Sequence, residues 1–211
     1  MRRIILTIVV VAIACGSAAA AWKEYPQPQL GFVVEFPADP TMSMGNYHTV
    51  LVRTAPVHIF SVKEDHAVYI ASVVDLMDRK EEGASLLGEA EFNLSMLGDV
   101  SNSSVSRVEP GAAAVWGHFV TVDCRKAKIP DQPGQGDAAR MWFKNNTGME
   151  CIDGTRLTVN MFFNRGRLYL IHGINLPTPD GTSIGPSALR FSNSISFFAA
   201  DGSRNFADTF R

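Results

Sequence analysis

Five histidines, three serines and three aspartates are the residues to weigh first for chemistry. His48, His58, His66, His118 and His172 are spread along the chain, and none forms an H-x-x-x-H or H-E-x-x-H pair that would set two ligands on one helical face. No metal site is therefore written in their spacing. His118 and His172 fall in apolar, strand-like segments, so they approach each other only if those strands are neighbours. His66 lies in a polar, turn-like stretch, and a structural or solvated histidine is the plainer reading for each.

A hydrolase needs a nucleophile held by a base that is itself held by an acid. Ser85, Ser95 and Ser187 supply hydroxyls, but no G-x-S-x-G elbow surrounds them. Gly181-Thr182-Ser183-Ile184-Gly185 has the right spacing, yet no strand leads into it and Pro186 follows at once, so it reads as a loop. Asp75, Asp78 and Asp123 fall near strand ends, where a carboxylate can do acid–base work, with surface placement the simpler expectation. Gly134-Gln135-Gly136 lacks the rest of a phosphate-cradling loop. These residues imply no catalytic set, no cofactor and no metal.

The aromatic residues of the second half are a different kind of candidate. Trp116, Trp142, Phe143, Phe162 and Phe163 belong either to ordinary core or to a groove or partner surface, where such side chains concentrate. Trp116, Trp142, Phe143 and Phe162 form the candidate interaction surface. Phe162 and Phe163, adjacent on a strand, must face opposite ways.

The elements that position these groups show in the periodicity. Residues 31–37 make a short strand closed by Pro37. Residues 47–54, 58–62 and 67–74 read as the next three strands, with a hairpin at the polar Lys63-Glu64-Asp65-His66. In the last of these, Tyr69, Ala71 and Val73 share one face and Val68, Ile70, Ser72 and Val74 the other. Both faces are largely apolar, as in a central strand covered on two sides.

Between residues 78 and 97 the period changes. Ala84, Leu87, Ala90, Leu94 and Leu97 recur at helical intervals, with acidic residues early and Gly98 as the stop. Strands follow at residues 104–108, 116–122, 158–163 and 168–174, the last two joined through a tight turn at Gly166. Residues 138–145 fit either a strand or a short helix. Residues 128–137 and 176–186 read as loops, 187–193 as a closing helix and 194–198 as extended chain. The sum is an α+β domain: a central, largely antiparallel sheet flanked by helices.

The chain begins with Arg2-Arg3, an uncharged run over residues 4–14 and the small residues Gly16-Ser17-Ala18-Ala19-Ala20-Ala21, the order of a secretory signal peptide. Residues 1–21 are read as that signal, 22–200 as one domain and 201–211 as a flexible tail. A retained membrane anchor is the rival. Cleavage would leave Ala21 or Trp22 first; alternatively, Ala12-Ile13-Ala14-Cys15 imitates a lipobox and Cys15 would be lipidated. Periplasmic or extracellular location follows in either case. Without Arg2 and Arg3 the 19 basic residues become 17 against 21 acidic, a balance of −4 that disfavours nucleic-acid binding.

Cys124 and Cys151 survive either cut. In an exported domain they can form a disulfide closing roughly 28 residues, with two separate buried thiols as the alternative. Lacking C-x-x-C spacing, they suit a structural role.

The order Trp22, Tyr25, Gly31-Phe32, Phe36-Pro37, a long amphipathic helix, Arg167-Leu168-Tyr169, Arg190-Phe191, Ser194 and Ser196 resembles small exported bacterial proteins of unassigned role with the PsbP-like α/β/α fold. The resemblance spans most of residues 22–198 and implies a sheet sandwiched by helices. It carries no enzyme activity or particular ligand. The loop at residues 128–137 and the Cys124–Cys151 pair depart from its pattern. The functional expectation is an exported, non-enzymatic accessory protein binding a partner protein or a small apolar ligand in the cell envelope. The alternative is a hydrolase-type enzyme built from strand-end Asp and His, which requires His118 or His172 within reach of a carboxylate.

Overall fold

The computed structural model describes residues 22–51, 53–76, 82–108, 114–125, 135–179, 185–199 and 201–203. Residues 1–21 with Cys15, Asp78, most of residues 128–137, residues 181–184 and residues 204–211 lie outside the described residues.

A strand with two apolar faces must be covered twice, and that requirement organises the fold. Ten strands and three helices are described: β1 (Lys23–Gln27), β2 (Phe32–Phe36), β3 (Thr41–Thr49), β4 (Arg53–Lys63), β5 (Ala67–Asp75), α1 (Gly83–Ser95), β6 (Gly98–Val108), β7 (Val115–Cys124), α2 (Gln135–Thr147), β8 (Arg156–Asn164), β9 (Arg167–Asn175), α3 (Pro186–Asn193) and β10 (Ser196–Phe197). Seven strands form one sheet in the order β3-β4-β5-β9-β8-β7-β6, every pair antiparallel. The α+β reading holds: a large antiparallel sheet lies between helices.

The alternation along β5 divides its side chains as the sequence implies. Val68, Ile70 and Val74 join Leu86, Ala90 and Leu94 of α1 and Phe143 of α2 in one core. Tyr69, Ala71 and Val73 join Phe32, Phe36, Phe191 and Phe197 in the other. The second face therefore carries α3 together with a small sheet, β1-β2-β10. Each fully buried Phe contributes roughly 1.5–3 kcal/mol through loss of apolar surface to water. Phe162 and Phe163 split between the two faces, Phe162 packing in the β2–α3 core and Phe163 against the α1–α2 core.

Several boundaries differ from expectation, each for a reason outside the local pattern. Residues 47–54 are not one strand: β3 ends at Thr49, and Val50 and Leu51 are an exposed turn. Glu89 of α1 accepts from the Val50 amide at 2.8 Å and from the Thr49 hydroxyl, and Arg53 re-enters with φ 61°. A carboxylate forty positions away fixes this turn. Helix α1 begins at Gly83 with no acidic residue in its first turn.

Gly98 opens β6 instead of ending a helix. A Cβ there would lie 2.0 Å from the carbonyl oxygen of Asp123, so glycine is required by the close approach of β7. Strand β6 is also longer than the 104–108 expected, and polar because most of its side chains are exposed on both faces of the sheet. The ambiguous residues 138–145 are helical, inside α2. Arg165 and Gly166, with φ 51° and 77°, form the tight β8–β9 turn.

Cys124, the last residue of β7, is bonded to Cys151 with Cα atoms 5.5 Å apart. The bridge ties the end of β7 to the segment between α2 and β8, where the Cys124 amide also donates to Thr155 O at 2.8 Å. Chain entropy sets its stabilisation near ~3–4 kcal/mol. The Cys124→Ser/Cys151→Ser variant is therefore expected to unfold about 3 kcal/mol more easily in urea. A loss below ~1 kcal/mol would show that the bridge only decorates a segment already held by its hydrogen bonds.

Candidate functional site

The edge of the sheet where α1 meets β6 and β7 gathers the most functional side chains. His118 is on β7 with Val105 of β6 directly opposite, and Trp116 stands opposite Arg107. Glu91 projects from the flank of α1 over both strands. Its Oε2 lies 2.6 Å from His118 Nδ1, and its Oε1 accepts from the Ser103 hydroxyl at 2.9 Å. One carboxylate thus clasps two strands to the helix. Arg107 lies over the Trp116 ring, 5.2 Å from its centroid.

This arrangement is open to solvent: His118 is 40% exposed at its side chain and Trp116 58% overall. Val105 is exposed beside them. Strand β6 has β7 on one side and, among the described residues, no strand on the other. From Val100 to Ser106 it carries no charge and no proline. Edge strands are commonly guarded by such residues, and here only a bulge between Val100 and Asn102 interrupts the ladder.

The hydrogen-bond order matters for catalysis. A triad places imidazole between carboxylate and nucleophile, whereas here the carboxylate is between imidazole and Ser103. Among the described residues no hydroxyl or thiol is bonded to the free ring nitrogen of His118. Ser95 donates to Phe92 O at 2.7 Å within α1. Ser187 lies beside the Tyr69 hydroxyl, whose own proton goes to Glu64 at 2.8 Å. Asp123 accepts from Nε and Nη2 of Arg156, at 2.8 and 3.0 Å. That ion pair is about one-third exposed, so its contribution is on the order of 1 kcal/mol or less. Asp75 ends β5 opposite Arg167.

The aromatic candidates separate cleanly. Trp116 is exposed, but Trp142, Phe143 and Phe162 are buried and cannot form the expected interaction surface with it. Trp142 and Phe143 are on α2 and face the sheet, while Phe162 lies in the opposite core against Phe197. Sequence order could not separate these cases. Glu91 has no signature in the sequence because its partners are on strands 12 and 27 positions away.

His118 and His172 do not meet, since β8 lies between their strands. His172 is enclosed under α2, its ring 6.1 Å from that of Phe143, and its Nδ1 has no hydrogen-bond partner among the described residues. His48 and His66 are exposed and His58 half-buried. Among the described residues no three His, Cys, Asp or Glu side chains gather into a metal site. No described helix is long and apolar enough to cross a membrane.

Burial alone pushes the His172 pKa down from 6.5 to about 4. The unfolded chain takes up that proton near 6.5 and the native one only near 4, so stability falls as pH drops through this window. The loss reaches roughly 3 kcal/mol at the lower end, at 1.36 kcal/mol per unit. A His172→Leu variant is expected to show a shallower fall in unfolding free energy between pH 6.5 and 4. An unchanged slope would mean that other groups govern acid stability.

No family model matches the sequence, and a search of curated proteins finds no match.

Proposed function

We infer that this is an exported, non-enzymatic binding protein of the cell envelope that adds an extended segment of a partner protein to its sheet along β6. The observation that carries this reading is the uncharged stretch of β6 from Val100 to Ser106, with Val105 exposed on it and Trp116 exposed beside it. An added strand draws affinity from main-chain hydrogen bonds and selectivity from alternate side chains. Glu91, by holding Ser103 and His118, keeps the receiving strand in place before the partner arrives. That preorganisation lowers the ordering cost of binding.

Export is supported by the signal-like residues 1–21 and by the Cys124–Cys151 bridge, which persists in oxidising compartments. A likeness to the PsbP-like group belongs to the same reading, supported by the antiparallel sheet and its helical cover. Of the two binding partners expected from the sequence, the β6 edge favours the protein over the small apolar ligand.

The test uses protein recovered from its host's envelope, whose mass on this reading starts at Ala21 or Trp22. Extended peptides selected from a display library should shift the β6 amide resonances and move Trp116 emission to the blue. Val105→Lys should weaken them at least tenfold, about 1.4 kcal/mol. Selected peptides that leave β6 untouched would contradict the proposal.

A hydrolase-type enzyme is the second reading, favoured by the 2.6 Å His118–Glu91 contact alone. It requires turnover of ester or peptide substrates that His118→Gln removes. Equal background rates for both proteins would sink it.

A further inference from the structure

The opposite edge of the sheet carries a different chemistry. Met42 and Met44 are on β3, two positions apart and so on the same face, and they are 63% and 68% exposed. His58 of β4 is the direct cross-strand partner of Met44, while Met42 stands opposite Phe60 one step along. The His58 imidazole is half-buried, and among the described residues it has no hydrogen-bond or ion-pair partner. Two thioethers and one imidazole thus share a face at the open edge of the molecule.

Distances within such a lattice are short. Directly opposed residues have Cβ atoms about 4.5–5.5 Å apart, and same-face neighbours on one strand are separated by roughly 6.6–6.8 Å. Methionine has three rotatable bonds beyond its Cα and a polarisable sulfur. Both sulfur atoms can therefore turn onto an ion held by the His58 ring without moving the backbone.

We propose that Met42, Met44 and His58 form a binding site for a soft monovalent d10 cation, Cu(I) in the cell. Thioether sulfur selects Cu(I) over harder ions, and imidazole suits copper as well. The even-numbered positions of β3 and β4, which share this face, carry no carboxylate. Calcium and magnesium, which need oxygen donors, are disfavoured there. The ligand set is neutral, matching an ion of single charge. The cation is bound as delivered, with no redox step. This site lies across the sheet from β6 and does not depend on the partner-binding reading.

Ag(I), a redox-inert probe of the same softness, tests the assignment in protein beginning at Trp22, whose two cysteines are both held in the Cys124–Cys151 bridge. One equivalent should shift the ε-methyl resonances of Met42 and Met44 and the ring of His58. Met141, also exposed on α2, is a built-in control and should not move. Met42→Leu/Met44→Leu keeps volume at exposed positions and so keeps the fold. It should weaken Ag(I) binding at least tenfold, as should His58→Gln. Cu(I) should compete with Ag(I), and Zn(II) should not. Undiminished binding in the double variant, shifts at Met141 instead, displacement by Zn(II), or no binding at all would each overturn the proposal.

Discussion

Everything in this fold follows from a sheet whose inner strands are apolar on both faces. Side chains of β5, β8 and β9 alternate between two cores, so neither face can be left to water. One is closed by α1 and α2. The other is closed by α3 and the β1-β2-β10 sheet, whose Phe32, Phe191 and Phe197 meet Tyr69 and Tyr169 in edge-on and tilted ring contacts, with Phe36 tilted against Phe191. The two cores share no side chain, yet both depend on the same backbone ladder. A slip of one residue in β5 would exchange Tyr69 with Ile70 and damage both at once.

The same constraint leaves the margins of the sheet free for other uses. The helices cover the middle strands most fully; α2 holds the Tyr47–His48 end of β3 and α1 reaches β6 through Glu91, while residues 41–46 of β3 and most side chains of β6 remain exposed. At β6 the Glu91 clasp holds the uncharged stretch from Val100 to Ser106 beside Trp116; at β3, Met44 is exposed opposite His58 with Met42 two positions along the same face. The two margins differ in chemistry because they carry different side chains on the same kind of scaffold. The buried His172 belongs to neither: it is a core position whose polar nitrogen is kept neutral by its surroundings.

What the sequence makes legible is the alternation and its consequences. The two-faced β5, the β8–β9 hairpin with Gly166, the closing helix and the cysteine bridge are all encoded in local pattern or in simple pairing. The misplacements share one cause, contacts between residues distant in sequence. Val50 and Leu51 look like strand until Glu89 is seen to cap the turn, and Gly98 looks like a helix stop until Asp123 is seen against it. The polar β6 gives almost no period because residues 100–105 are exposed on both faces of the sheet. Trp142, Phe143 and Phe162 are aromatic for the ordinary reason of filling core, which composition cannot distinguish from a surface. The Glu91–Ser103–His118 clasp unites three elements and has no linear signature.

Native-state hydrogen exchange on the isolated protein addresses the central claim, a doubly buried sheet with an open β6 margin, most directly. Amides of β5, β8 and β9 should exchange only through global unfolding. The outward-facing amides of β6 should exchange in the native state, near the rate of unprotected chain. Protection of those β6 amides equal to that of β9 would mean that the edge is already covered, and no open strand would remain to receive a partner.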